Sequence, residues 1–417
     1  MTHVASPNSW GLFSAAIAQS VPWTPATNVK TALELSTLFL AKVKCPPLTD
    51  AAHVACLRGL NVSTVLDGQT VTFPPLPGYM LMLAMEWTPV VVPNSNEQPL
   101  QLMEAIASGQ TAPVPLLLGT TQDEMVDFLP EGGPPLQLST PIPFPLMEIG
   151  MVLFFGLQQT KAIFALFNVN MNATDGGPAL ANIITDYQFT CPTRWASRRL
   201  NALPNRPTYQ YMWRHVYSVG KFIYDEFPQC INVTCHTAEL PPLFNNMYLW
   251  TGNPPAPTPE EAALTVRMQQ YWTNTAKSRG DPNSPVTPAV AWLRGTQGVG
   301  MLNLDVPISM GPTVNDTICD YFDGLGYAIA PGAAWGPPAG TSGWGPMPTA
   351  PTSPTPPPAN NASSSLSVGI LIAIGAGLFI IGIVFGVMCG RARGGDGGRG
   401  KSDMQLEDYM VDNAIRI

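Results

Sequence analysis

From Leu366 to Cys389 the chain runs for about 24 residues without a charged side chain, enough to cross a ~30 Å hydrocarbon core with some tilt. The alternative, a buried core helix, fits poorly. The stretch follows a proline-rich tract and precedes Arg391 and Arg393, which have no basic counterpart on its other flank. That asymmetry predicts a cytoplasmic C-terminus and an outside N-terminal part, the topology of a single-pass type I membrane protein. Residues 330–365, rich in Pro, Gly, Ser and Thr, read as an extended stalk. Residues 366–389 read as the membrane helix and 390–417 as a short tail. Gly382 and Gly386 form a GxxxG, extended by Gly390, a spacing that permits close pairing of two helices and hence a homodimer. Cys389 stands where palmitoylation is frequent, although an inert thiol at the membrane edge reads as well. Ile415-Arg416-Ile417 has the form of a PDZ-domain ligand, a pattern short enough for chance to supply.

The span fixes the setting of what precedes it. Residues 1–329 are expected to be extracellular or luminal, and their cysteines agree. Cys45, Cys56, Cys191, Cys230, Cys235 and Cys319 lie ahead of the span, an even number suited to three disulfides. The sequons at Asn61, Asn172, Asn232, Asn315 and Asn361 all fall on the same side. A net charge of −8 with scattered basic residues gives no footprint for nucleic acid. Met1-Thr2-His3-Val4 shows neither the basic n-region nor the apolar h-region of an export signal.

Within residues 1–329 the patterns alternate. Ala15–Val21 and Val114–Gly119 are short apolar runs ending at turn-like residues, which predicts buried strands. Tyr209, Tyr211, Trp213, His215 and Tyr217 recur with a period of two, which predicts a further strand. Ala262–Ala276 has helical spacing, with Leu264, Met268, Tyr271, Trp272 and Thr275 on one side. Pro259-Glu260-Glu261 supplies an acidic first turn. That stripe reads as core packing. The fold class is α/β.

Five motifs then occur in order. His3–Ser20 reads HVASPNSWGLFSAAIAQS. Cys45 is followed by Cys56-Leu57-Arg58. Gly119-Thr120-Thr121-Gln122-Asp123-Glu124 follows, then Cys235-His236-Thr237-Ala238-Glu239-Leu240-Pro241. Last come Tyr271–Lys277 (YWTNTAK) and Asp281-Pro282-Asn283. Together they resemble the C-terminal half to two-thirds of the type-B carboxylesterases, the group of cholinesterases and neuroligins, over roughly residues 3–325. The resemblance implies an α/β-hydrolase fold, here incomplete, followed by the single membrane helix. It implies the pairs Cys45–Cys56 and Cys191–Cys319, which leave Cys230 with Cys235 just ahead of His236. It assigns Glu124 as the acid and His236 as the general base of a serine-hydrolase triad. By the same pattern Asp123 is the residue before the acid and Glu239 a structural residue facing away. His3, His53 and His215 carry no motif and read as structural. No cofactor or metal is implied.

Met125 stands where the family usually has glycine, and Thr275 where an aromatic is common. The larger departure is the Gly-x-Ser-x-Gly nucleophile elbow. It is absent; the nearest string, Gly340-Thr341-Ser342-Gly343-Trp344, lacks the last glycine and lies in the stalk. In the family the elbow precedes the position of His3 by about ten residues, and the oxyanion loop lies further upstream. The expected parent product is therefore longer, with Met1 an internal methionine. As written, the chain should hydrolyse nothing by this mechanism. Two functions compete: a membrane-anchored carboxylic-ester hydrolase, with an ester as substrate in full-length form, and a non-catalytic, neuroligin-like adhesion or receptor protein. Retention of both Glu124 and His236 favours the hydrolase.

Overall fold

The apolar run ending at Gly119 dictates the centre of the molecule. In the computed structural model it forms a strand at Leu116–Thr121 in which all six residues are buried, so both faces of the sheet there must be covered. The structure describes residues 1–23, 26–69, 87–128, 141–220, 227–246, 255–295, 300–311 and 314–327. The stalk, membrane span and tail expected from the sequence, with Asn361 and Cys389, lie outside these residues.

Five strands make the main sheet: β1 (Ala16–Gln19), β2 (Leu116–Thr121), β3 (Thr208–Trp213), β4 (Met301–Leu304) and β5 (Ser309–Gly311), side by side in chain order. β1 to β4 are parallel. β5 returns antiparallel against β4, as it can because antiparallel neighbours need only a short link whereas parallel ones need a crossover. A separate two-stranded parallel pair joins Thr27–Asn28 to Val90–Val91.

Alternation along the strands divides the core. Leu116 and Leu118 face one cluster with Ile106, Ile163, Trp195 and Phe322. Leu117, Tyr211, Trp213, Leu302 and Leu304 face another with Met268, Tyr271 and Trp292. The first cluster is bounded by a continuous helical run from Gly177 to Asn201. It contains a π-helical turn at Asp186–Thr190 and ends in α1 (Cys191–Asn201). The second cluster is closed by α2 (Pro259–Ser278), which starts at a Thr258–Glu261 capping box and stops at left-handed Arg279. Its buried residues include Leu264, Met268, Tyr271, Trp272 and Thr275, the side predicted by spacing. Thr275 Oγ1 donates to the carbonyl of Tyr271, so the small residue satisfies itself within the helix.

Three disulfides cross-link the described residues: Cys45–Cys56, Cys191–Cys319 and Cys230–Cys235. The second ties α1 to α3 (Asp316–Leu325). Beside it Arg194, 3% exposed, reaches Asp316, Asp320 and Asp323 at 2.6–2.7 Å. Removing that guanidinium would strand Asp323, itself only 9% exposed, as an unpaired buried charge.

Two strand expectations differ in detail. β1 is half-buried throughout, because it pairs with β2 and with no other described strand. The period-two pattern that continues to Tyr217 stops being a strand at Trp213. Beyond it His215 is held in a loop, its Nδ1 3.0 Å from Asp305 and its Nε2 3.1 Å from Glu261. Among the described residues no single helix is long and apolar enough to cross a membrane. Phe144–Phe155 and Leu157–Leu166 meet that composition only as a pair bent by 118°.

One close approach holds β2 against β3. Gly119 pairs with Tyr211, and a Cβ at Gly119 would lie 2.1 Å from the tyrosine ring. Gly119→Ala is expected to destabilise the fold by about 1–3 kcal/mol through overpacking, read as a lower urea midpoint at unchanged slope. An unchanged midpoint would show that the ring moves aside freely.

Candidate active site

Parallel α/β sheets place their sites beyond the C-terminal ends of the strands. β2 ends in the turn that carries Glu124. The chain after β3 passes Cys230–Cys235 and reaches His236. Thr234 fastens the two. Its backbone N–H and hydroxyl donate to Asp123 Oδ2 at 3.0 and 2.9 Å. Its hydroxyl oxygen accepts the Gln122 N–H at 3.2 Å, and its carbonyl accepts the Asp123 N–H. Asp123 is thus the clamp, and its neighbour Glu124 meets the ring.

Glu124 is fully buried and both its oxygens are engaged. Oε1 accepts the Thr121 N–H at 2.7 Å. Oε2 accepts from His236 Nδ1 at 2.5 Å. A carboxylate only accepts, so Nδ1 carries the proton and Nε2 of the neutral ring is left as the basic nitrogen. The histidine side chain is 25% exposed. The rings of Phe128 and Phe189 lie 5.3 and 5.8 Å from it; Phe189 is delivered by the π-helical turn. Thr237, immediately after the histidine, has φ 69°, a strained conformation for a β-branched residue. Strain of this kind persists only where the surroundings fix the backbone, as the disulfide and the Thr234 clamp do here.

The electrostatics are crowded. Burial alone would lower the His236 pKa, but the hydrogen bond and charge of Glu124, with the charges of Asp127 and Glu239, raise it above the ordinary imidazole value. Asp127 is pushed up to about 7, first by burial; the His236 charge opposes that rise. Glu239 is raised by burial and then by Glu124.

Sequence reasoning set Glu239 aside as facing away and did not single out Asp127. Glu239 is buried, and its Oε1 accepts from Gln19 Nε2 at 3.1 Å and from the Tyr211 hydroxyl at 3.2 Å, contacts that suit the structural reading. Its charge acts on both Glu124 and His236. Only its spacing from His236 could have signalled this. Met125, the departure from the family glycine, packs against the first core, and its N–H donates to Thr185 Oγ1. The other histidines lie apart. His3 Nδ1 is 2.9 Å from Ser9 Oγ, and His53 Nδ1 is 2.6 Å from the Asp50 carbonyl. A cavity of about 330 Å³ abuts the acid turn at Asp123 and Val126, but neither Glu124 nor His236 lines it. Among the described residues no group of His, Cys, Asp and Glu is arranged to hold a metal ion.

The sequence model of the carboxylesterase family matches residues 1–322. The chain belongs to the carboxylesterase family. It is similar to the crystal protein of Dictyostelium discoideum, with 28% identity over 78% of this chain and 57% of that protein. It is similar to the acylcarnitine hydrolase of Mus musculus, with 26% identity over 74% of this chain and 52% of that protein. The acetylcholinesterase of Bungarus fasciatus is 24% identical over 77% and 52%. This carboxylesterase chain therefore spans little more than half the length of the curated relatives it matches.

If Glu124 raises the imidazole pKa, Glu124→Gln must lower it, since the neutral amide stabilises imidazolium less. With four histidines in the chain, a proton NMR titration can follow His236. The expected result is a midpoint about one pH unit lower or more; an unmoved midpoint would contradict the coupling.

Proposed function

We propose that this carboxylesterase-family chain supplies the acid and the general base of a carboxylic-ester hydrolase, and that a serine from a segment outside this sequence is the nucleophile. The reading rests on the 2.5 Å hydrogen bond between Glu124 and His236. A buried carboxylate orienting an imidazole at the C-terminal edge of a parallel sheet is two-thirds of a nucleophilic-catalysis device. Relatives named acylcarnitine hydrolase and acetylcholinesterase support ester chemistry.

In this mechanism the serine oxygen attacks the ester carbonyl while His236 Nε2 takes the hydroxyl proton. The tetrahedral oxyanion collapses, the C–O bond to the alcohol breaks, and His236 returns the proton to the leaving alcohol. Water then repeats the sequence on the acyl-enzyme: Nε2 takes its proton, the acid departs, and the serine regains its hydrogen. Glu124 stays ionised throughout and stabilises the imidazolium formed twice per cycle.

The hydrolase is further proposed to be membrane-anchored through Leu366–Cys389, with its globular part outside. Exposed sequon asparagines at 61, 172, 232 and 315 and the three disulfides support that compartment. The adhesion reading draws on the absent Gly-x-Ser-x-Gly string. It gives no reason to keep a desolvated carboxylate against an imidazole, an arrangement costly to maintain without use.

The test is turnover of a p-nitrophenyl ester by the protein extended to include its upstream coding sequence. His236→Ala is expected to lower kcat at least about 10³-fold. Equal rates for the two proteins would remove the hydrolase reading.

A further inference from the structure

We propose that Tyr217 is a positioning residue for His236: its hydroxyl holds the turn that aims the imidazole, and a clamp centred on Glu261 holds the tyrosine. The proposal rests on the hydrolase reading for its catalytic meaning, but not for its first test.

His236 is the second residue of a four-residue turn, Cys235–Ala238, closed by the Ala238 N–H donating to the Cys235 carbonyl at 3.1 Å. The third residue, Thr237, has φ 69°. A β-branched side chain disfavours that conformation, so the turn must be held from outside. The Thr234 clamp and the Cys230–Cys235 disulfide hold its entrance. Tyr217 holds its exit: the tyrosine hydroxyl donates to the Ala238 carbonyl at 3.0 Å, in a buried bond. A phenylalanine would fill the same space but leave that carbonyl without this donor, in a place where Ala238 is only 2% exposed. The segment around Tyr217 touches the histidine loop once more. A Cβ at Gly220 would lie 2.6 Å from the Ile231 carbonyl.

Tyr217 is itself fixed on several sides. Its ring lies 5.7 Å from that of Trp213, the last residue of β3, and 5.7 Å from that of His215. The residues flanking it are tied to one carboxylate in the first turn of α2. Glu261 accepts the Ser218 N–H on Oε1 and the Ser218 hydroxyl on Oε2, both at 2.7 Å. Its Oε1 also lies 3.1 Å from His215 Nε2, and its Oε2 accepts the Thr258 N–H at 2.8 Å. A carboxylate has room for about four such partners, so Glu261 is fully used and cannot swing away without losing all of them. This is why the alternating aromatic pattern leaves the strand after Trp213. Residues 215–218 curl onto Glu261 and thereby send the Tyr217 hydroxyl to the turn after the catalytic base. In the reaction, His236 Nε2 must meet the serine proton within hydrogen-bond reach. Freeing the exit of its turn lets the imidazole leave that direction, a loss in the chemical step rather than in substrate binding.

The experiment sets Tyr217→Phe beside Ile163→Val, a change in the first core that lowers stability away from the site. In the first arm, proton NMR of the full chain follows the exchange of the His236 Nδ1 proton with water. Tyr217→Phe is expected to speed that exchange about tenfold, because the turn opens more often. Ile163→Val should leave it unchanged, although both variants lower the urea midpoint. In the second arm, turnover of a p-nitrophenyl ester by the extended protein should show kcat lowered about tenfold or more in Tyr217→Phe, with KM within about twofold of the original. An unchanged exchange rate in Tyr217→Phe, an equal acceleration in both variants, or a change in KM alone overturns the proposal. If Tyr217→Phe does not fold, Ser218→Ala, which frees the segment from Glu261 without touching the turn, is read by the same criteria. Absence of turnover in the unaltered extended protein would count against the hydrolase reading alone, since the NMR arm still decides the role of Tyr217.

Discussion

The turn after β2 and the loop after β3 leave neighbouring parallel strands, and Thr234 joins them. Through its backbone and hydroxyl it bonds to Gln122 and Asp123. Without that clamp, Glu124 and His236 would sit on two independent loops, and a 2.5 Å hydrogen bond between them would have to order both. With it, the ordering is done by groups that take no part in proton transfer. The Cys230–Cys235 bridge acts in the same direction, since it closes the chain directly ahead of the histidine. Its short loop gains little stability from cross-linking, so its value lies in where it leads the backbone.

The same pair of strands governs the electrostatics. The close approach of Gly119 to Tyr211 lets the tyrosine lie across β2 and send its hydroxyl to Glu239. Gln19 at the end of β1 reaches the same carboxylate oxygen, and its own carbonyl accepts the Trp272 indole N–H. Gln19 at the end of β1 and Tyr211 within β3 thus converge on a buried acid, and α2 braces Gln19 through Trp272. Three carboxyl groups, Glu124, Asp127 and Glu239, act on one ring. Like charges so placed oppose one another's ionisation, and a cation among them is the state that relieves all three. The raised pKa of His236 follows from that crowding.

Much of this was legible in the sequence, and the limits have physical causes. Leu116–Thr121 announced itself because a strand covered on both faces must be apolar throughout. The side of α2 was legible because packing repeats with the helical period. Motif order named Glu124 and His236, and the structure brings their side chains together. The burial of Asp127 and Glu239 was not legible, since no local pattern records desolvation. The aromatic alternation through Tyr217 misled about the length of β3: His215 continues the pattern, but two carboxylates on separate segments draw it into a loop. The half-buried state of β1 was also hidden, because an apolar run does not tell whether a strand has one neighbour or two.

The proton shared between Glu124 and His236 can be observed directly. A short Nδ1–H···Oε2 bond predicts a strongly downfield proton resonance coupled to an imidazole nitrogen, at a pH where the ring is charged. That signal should disappear in Glu124→Gln and persist in variants of His3, His53 and His215. If it is absent from the unaltered protein, or survives removal of the Glu124 carboxylate, the two residues do not form the hydrogen bond on which this account of the site depends.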